Sequence, residues 1–223
     1  GNSGTAARLL GFGVCSTNPN LLIKLTGDKS LRKRSMKKVI RAMENFGVTF
    51  FPKNKFKLPL TLLSSEIPLG FKFKNGISSQ IKSAVMLGAL NSFGKTQIIE
   101  NIKSRDHTEK ILLNNSRVIK LKKGKKNIIN INGKENLKPL NLIIPSDPST
   151  ASFYAALCLL NRNSKIVLKE VQINPTRIGF FNIIKRSGGK IVFKNKKLQN
   201  NELVADIHVK SSKLKPFKIS KKF

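Results

Sequence analysis

The chain has 223 residues, of which 43 are Lys or Arg and 11 are Asp or Glu, giving a formal net charge of +32, and 39% are hydrophobic. Apolar residues recur along the whole length, which excludes a disordered polybasic tail and suits one or two domains. No apolar run reaches the ~18 residues of a membrane span and no signal peptide is recognisable, while two cysteines, Cys15 and Cys158, are too few for a disulfide framework and too far apart for a metal knuckle, so a reducing cytoplasm is the expected location.

Asn2–Ser16 (NSGTAARLLGFGVCS) runs from a small polar start into an apolar stretch and is predicted to be a helix apolar on most sides, hence buried. A strand at Leu21–Thr26 follows, then an amphipathic helix at Leu31–Phe46 closed by Gly47, then paired strands at Val48–Pro52 and Leu58–Leu63. The order recurs from Ser78. Ser78–Ser92 (SSQIKSAVMLGALNS) is a second buried helix, followed by a strand at Thr96–Ile102 and an amphipathic helix at Asp106–Asn115, where Asp106 and Glu109 are spaced as a capping box. Strands Val118–Lys122 and Asn127–Asn132 complete that unit. Asp147–Asn161 (DPSTASFYAALCLLN) opens a third, with Asp147 as cap and Pro148 at the first helical position. It continues with strand Lys165–Val171, helix Pro175–Ser187 between Asn174 and Gly188-Gly189, and strands Lys190–Lys194 and Asp206–Lys210.

The buried helices begin at 2, 78 and 147, so one unit of helix, strand, helix, strand, strand occurs three times in an α/β fold built by repetition. The Pro139–Pro145 stretch (PLNLIIP) is the expected domain boundary, giving residues 1–145 and 146–223. The chain opens inside a helix-like stretch and stops just beyond a strand-like one. It therefore reads as an internal fragment whose second domain is truncated at its C-terminal end.

So basic a chain raises the question of nucleic acid. Only nine of its 43 basic residues are Arg, the group suited to bidentate phosphate and base contacts. There is one Tyr and no Trp to stack on bases. A solvated surface explains the lysines better, and no nucleic-acid partner is expected.

Four segments offer binding chemistry. Gly1-Asn2-Ser3-Gly4-Thr5 and Ser78-Ser79-Gln80 place small residues at helix starts, where free N–H groups and the positive helix end attract anions; Gly4 lets an anion approach the backbone. Arg34, in GDKSLRKR, is expected in the first turn of the amphipathic helix, where a cation is unfavourable unless an anion offsets it. Arg105 precedes a cap and is placed to reach a ligand. Each segment also has a plain alternative as a cap or a surface charge. His107 and His208 lack a nucleophile or a carboxylate cluster and read as structural, and Cys15 and Cys158 as inert core thiols. No metal-ligand spacing is present.

Together, GNSGTAAR, GDKSLRKRSM, SSQIKSA, SRDHTEKIL, INPTRIGFF and VADIHVKSSKLK resemble the second sequence class of the 3-phosphoshikimate 1-carboxyvinyltransferase family, also called 5-enolpyruvylshikimate-3-phosphate synthases. That resemblance implies repeated βαβαββ units in the two-domain, inside-out α/β barrel of enolpyruvyl transferases, with 1–145 most of the shikimate phosphate domain. It implies transfer of a carboxyvinyl group from phosphoenolpyruvate to the 5-hydroxyl of shikimate 3-phosphate, for chorismate and aromatic amino acid biosynthesis. By the same resemblance Asn2, Gly4, Arg34 and Gln80 bind phosphoenolpyruvate, and Ser78, Ser79, Gln80 and Arg105 bind shikimate 3-phosphate. No cofactor, metal or membrane is implied, and the complete enzyme is expected to be a monomer. The family's catalytic acids and bases have no counterpart in these residues, so the isolated chain is expected to be inactive. Two departures stand out: Ser79 where this class often has Ala, and Gly4 where glyphosate-resistant members can have Ala. A related transferase acting on UDP-N-acetylglucosamine uses a loop Cys in a Gly-Cys-x-Ile-Gly-x-Arg context, which neither cysteine here has.

Overall fold

The computed structural model describes residues 1–122 and 124–216, which fall in two compact units, Gly1–Pro139 and Leu140–Phe223. The division lies inside the proline-flanked stretch, six residues before the boundary expected from sequence.

The first unit holds two copies of the repeat. In the first copy, helix α1 (Gly4–Ala6) runs on into a π-helical segment, Ala7–Val14, followed by β1 (Leu22–Leu25), α2 (Lys29–Lys33), α3 (Lys37–Glu44), β2 (Thr49–Phe51) and β3 (Leu60–Leu63). The second copy is β4 (Lys72–Asn75), α4 (Ser79–Leu90), β5 (Lys95–Glu100), α5 (His107–Leu112), β6 (Ile119–Lys122) and β7 (Asn127–Asn132). The second unit holds the third copy: α6 (Pro148–Leu160), β8 (Lys165–Gln172), α7 (Gly179–Arg186), β9 (Lys190–Gln199) and β10 (Glu202–Lys210).

The sheets prove the repetition more firmly than the element order does. Their strand orders are β1-β3-β2, β4-β5-β7-β6 and β8-β10-β9, so in every copy the last strand is central and antiparallel to the two before it. Only the second copy has a full leading strand, β4, paired parallel to β5; in the third its place is held by a single parallel bridge from Ser146 to Val171.

Glycines set how the first two long helices meet. A Cβ on Gly13 would lie 2.9 Å from the Ala84 carbonyl oxygen, and one on Gly88 would lie 3.2 Å from the Gly13 carbonyl oxygen. The two backbones therefore touch without side chains between them, and both helices run the same way, so Gly4 and Gln80 begin at a common end. Phe12, Phe46, Leu62, Met86 and Ile98 fill the core beneath them.

Four local expectations are corrected. The amphipathic helix predicted over 31–46 is two helices: α2, capped by Asp28 accepting from Leu31 N at 2.8 Å, ends at Arg34, whose extended backbone (ψ 136°) breaks the run. The break lets Leu31 and Met36 both be buried, and Met36 N donates to Phe56 O at 2.8 Å. Arg34 thus sits at a helix C-terminus, where the dipole favours a cation, and not in a first turn. The Asp106–Glu109 capping box does not form. Asp106 makes no cap hydrogen bond to its helix, and Glu109 turns inward as a buried group. The helix predicted from Pro175 begins at Gly179, because Asn174 Oδ1 accepts from Thr176 N and Thr176 Oγ1 and holds residues 174–176 in a turn. Finally, α6 is buried on one side only: Ala151, Ala155 and Cys158 face its core, whereas Phe153, Leu157 and Leu160 are exposed. The predicted closing glycines do adopt left-handed backbone, Gly47 at φ +88° and Gly188 at φ +90°.

Candidate active site

Gly4 is buried, and the volume its missing Cβ would fill is taken by two guanidinium groups. Such a Cβ would stand 2.9 Å from Arg34 Nη1 and 3.0 Å from Arg8 Nη1. Arg34 Nη2 donates to Asn2 Oδ1 at 3.1 Å, and Arg8 Nη1 donates to Gln80 Oε1 at 2.8 Å. Gln80 Nε2 in turn donates to Thr5 Oγ1 at 2.8 Å. Asn2, Gly4, Arg34 and Gln80 are therefore one cluster, although 78 residues separate its ends in the chain.

Its electrostatics are one-sided. Among the described residues neither Arg8 nor Arg34 has an acidic side chain within ion-pair distance; both hold neutral amides instead. Partial burial and the neighbouring Arg34 lower the Arg8 guanidinium from its ordinary value, the direction expected of a cation short of counter-charge. The starts of α1 and α4 add the positive ends of two helices at the same place.

The equivalent corner of the third repeat shows the opposite arrangement. There the helix cap is Asp147, which accepts from Thr150 N at 2.9 Å, and Arg177 Nη2 donates to Asp147 Oδ1 and to Ser149 Oγ. Burial works against the Asp147 carboxylate, but the Thr150 N–H and Arg177 hold it below the ordinary range. An arginine 30 or so residues after the helix start is thus common to both copies, internally neutralised at Asp147 and left with a neutral partner at Asn2.

The second expected set, Ser78, Ser79 and Arg105, is divided between the start of α4 and the loop after β5. Ser78 caps the helix, its Oγ accepting from Ile81 N at 3.4 Å, and Ser79 is the first helical residue. Arg105 is exposed on the loop between β5 and α5, one residue after Ser104. Beneath these residues lies a buried charged group that sequence reasoning passed over. Lys82 Nζ is 3.1 Å from Glu100 Oε1 and also pairs with Glu109 Oε1, with all three side chains at most 5% exposed. Burial pushes the Glu109 carboxyl up, against the pull of Lys82. Arg8 was also missed, although it follows Gly4 by one helical turn and so projects from the same face. His107 lies in α5, Cys15 and Cys158 are free thiols, and burial pushes the Cys15 thiol up, away from reactivity. No helix among the described residues is long and apolar enough to cross a membrane.

Comparison with known proteins identifies a family. The profile of the EPSP synthase (3-phosphoshikimate 1-carboxyvinyltransferase) family matches residues 1–222. The chain is 41% identical over 221 residues to the 3-phosphoshikimate 1-carboxyvinyltransferase of Petrotoga mobilis, covering 98% of this chain and 50% of that protein. It is 38% identical over 222 residues to that of Aquifex aeolicus, with 98% and 51% coverage. The solved EPSP synthase of Acinetobacter baumannii superposes with a TM-score of 0.82 at 32% identity, over 99% of this chain and 49% of that one. The chain spans about half the length of the curated relatives it matches. With a profile match from end to end and the same repeated α/β fold, the chain belongs to the EPSP synthase family.

Proposed function

We propose that these residues form the substrate-binding half-site of a 3-phosphoshikimate 1-carboxyvinyltransferase, which moves the carboxyvinyl group of phosphoenolpyruvate to the 5-hydroxyl of shikimate 3-phosphate and releases phosphate. The observation that carries the reading is the pair of arginines on Gly4 that lack acidic partners, Arg8 being joined through Gln80 to the start of α4. Phosphoenolpyruvate brings a carboxylate and a phosphate, the two anions that Arg34 and Arg8 lack. Gly4 keeps the site open for it, Asn2 orients Arg34, and Gln80 lies where both substrates meet. Ser78, Ser79 and Arg105 take the phosphate of shikimate 3-phosphate, and on this reading residues 1–145 are most of the shikimate phosphate domain.

In the reaction the 5-hydroxyl gives its proton to a base as its oxygen adds to C2 of phosphoenolpyruvate, and C3 takes up a proton from an acid; the tetrahedral intermediate then loses phosphate and a proton from C3. Fixed cations next to the departing phosphate stabilise the charge it gains. Proton transfer needs a positioned acid and base. The present residues are assigned binding and orientation alone, with no cofactor.

Calorimetric titration of the chain with each substrate tests this. Saturable binding of both substrates is expected, with Arg34→Ala weakening phosphoenolpyruvate at least tenfold and leaving shikimate 3-phosphate unchanged. No saturable binding of shikimate 3-phosphate would overturn the reading.

A further inference from the structure

The buried Lys82 cluster joins four separate stretches of chain. Glu100, the last residue of β5, receives Lys82 from the second turn of α4. Its Oε1 also accepts from Asn75 Nδ2, at the end of β4, at 3.1 Å, and from Ser104 Oγ, in the following loop, at 2.7 Å. Lys82 reaches across to Glu109 of α5, and beside it Ser83 and Thr108 share a 2.7 Å hydrogen bond between the same two helices. Lys82 is fully buried and Glu100 is 2% exposed, so no solvent screens these contacts.

Burying an ion pair is a poor way to gain stability, since the desolvation cost commonly matches or exceeds the Coulomb gain, and an apolar core would serve as well. What it does supply is geometry: a multiply bonded carboxylate allows one arrangement where methyl groups allow several. That geometry lands on the site. Asn75 precedes Ser78 by three residues, Lys82 follows Ser79 by three and Gln80 by two, and Ser104 adjoins Arg105. Every residue assigned to shikimate 3-phosphate is thus within three residues of a member of the cluster.

We propose that the Lys82–Glu100–Glu109 cluster, with Ser104, is a positioning device that holds the start of α4 and the Arg105 loop at the separation that a phosphate monoester needs, so that it sets the preference for phosphorylated over unphosphorylated shikimate. Its members touch no substrate and act through Ser78, Ser79 and Arg105. The inference rests on the function proposed above and adds what enforces its phosphate selectivity.

The test removes single hydroxyls and leaves the charges paired. Ser104→Ala and Thr108→Val are compared with the unaltered chain by titration with shikimate 3-phosphate and with shikimate, alongside thermal unfolding. Ser104→Ala is expected to raise the dissociation constant for shikimate 3-phosphate five- to tenfold and leave that for shikimate within twofold, with Ser104→Thr restoring selectivity. Thr108→Val, which loosens the same junction from the other side, is expected to act in the same direction. Equal weakening of both ligands, or unchanged selectivity in two folded variants, overturns the inference while the functional reading stands. Failure of the unaltered chain to bind shikimate 3-phosphate overturns the functional reading and the inference together.

Discussion

Gln80 accepts a 2.8 Å hydrogen bond from Arg8, a residue 72 positions earlier, and returns one of 2.8 Å to Thr5. This reciprocal clamp ties the first helix start to the second and aims a guanidinium at the space above Gly4. It can form only because Gly13, Ala84 and Gly88 let the two helices run in backbone contact.

That contact gives the first prediction. A methyl group at Gly13 would meet Ala84 O at 2.9 Å and Ala84 Cα at 3.0 Å, atoms of a helix backbone that cannot turn aside. Gly13→Ala is expected to destabilise the first unit by about 1–3 kcal/mol, the usual cost of overpacking a tight core. Urea unfolding monitored by circular dichroism measures it. A midpoint unchanged from the parent would mean the helices can separate freely.

Gly4→Ala should behave differently. The atoms in its way are Arg34 Nη1 and Arg8 Nη1, the far ends of flexible side chains. The fold is expected to survive with a shift below about 1 kcal/mol, as for substitutions away from core mechanisms. Phosphoenolpyruvate affinity should fall about tenfold, equivalent to about 1.4 kcal/mol. Titration alongside thermal unfolding separates the two effects.

Asn2→Asp transplants the arrangement of the third repeat into the first. Arg177 is satisfied by Asp147, and Arg34 would be satisfied in the same manner by the introduced carboxylate. Phosphoenolpyruvate binding is then expected to fall by ten- to a hundredfold without loss of thermal stability, with the deficit relative to the parent widest at low ionic strength, where the added carboxylate is least screened.

Asp206 supplies a pH dependence confined to the second unit. It sits on the central strand β10, where the registers with both neighbours slip by one residue: Lys169 and Glu170 face Asp206 on one side, and Asn195 and Lys196 face Ala205 on the other. Its carboxylate accepts from Glu170 N at 3.0 Å, Asn195 Nδ2 at 2.8 Å and Lys169 Nζ at 3.0 Å, so it plugs both bulges. These donors, the Glu170 N–H foremost, hold the carboxyl well below the ordinary range. A depressed folded value means the stabilisation is complete above the unfolded Asp value of about 3.9 and is lost as pH falls below it. Asp206→Asn should therefore be less stable than the parent at pH 6–7, with the gap narrowing below about pH 4. A gap independent of pH would show that the charge is irrelevant.

Much of this was legible in the sequence because hydrophobic period and punctuation report on local geometry. Ser78, Asp147, Gly47 and Gly188 act where a cap or a left-handed residue was expected. Apart from the turn that Asn174 and Thr176 make locally, the misses follow from how side chains pack and pair in the folded chain. Leu31 and Met36 are buried together by breaking a helix that their spacing alone would continue. Glu109 had a good local role as a capping partner and was drawn instead to Lys82, 27 residues earlier. Lys82 did leave a trace, as the one charge within an otherwise apolar helix, since a charge in such a place requires a partner. Arg8 was hidden inside a motif quoted for its glycine.

The sheet order also accounts for where the lysines stand. The central strands β3 and β7 carry none, and β10 carries one only at its last residue, whereas β4, β6, β8 and β9 hold ten among them. Among the described residues those four are the outer strands of their sheets, and apart from the Ser146 bridge on β8 their outward N–H and C=O groups form a ladder on which another chain could align. Long cationic side chains along that ladder make such an approach repulsive. Part of the charge that first suggested a polyanionic partner thus works to keep copies of the chain from stacking edge to edge.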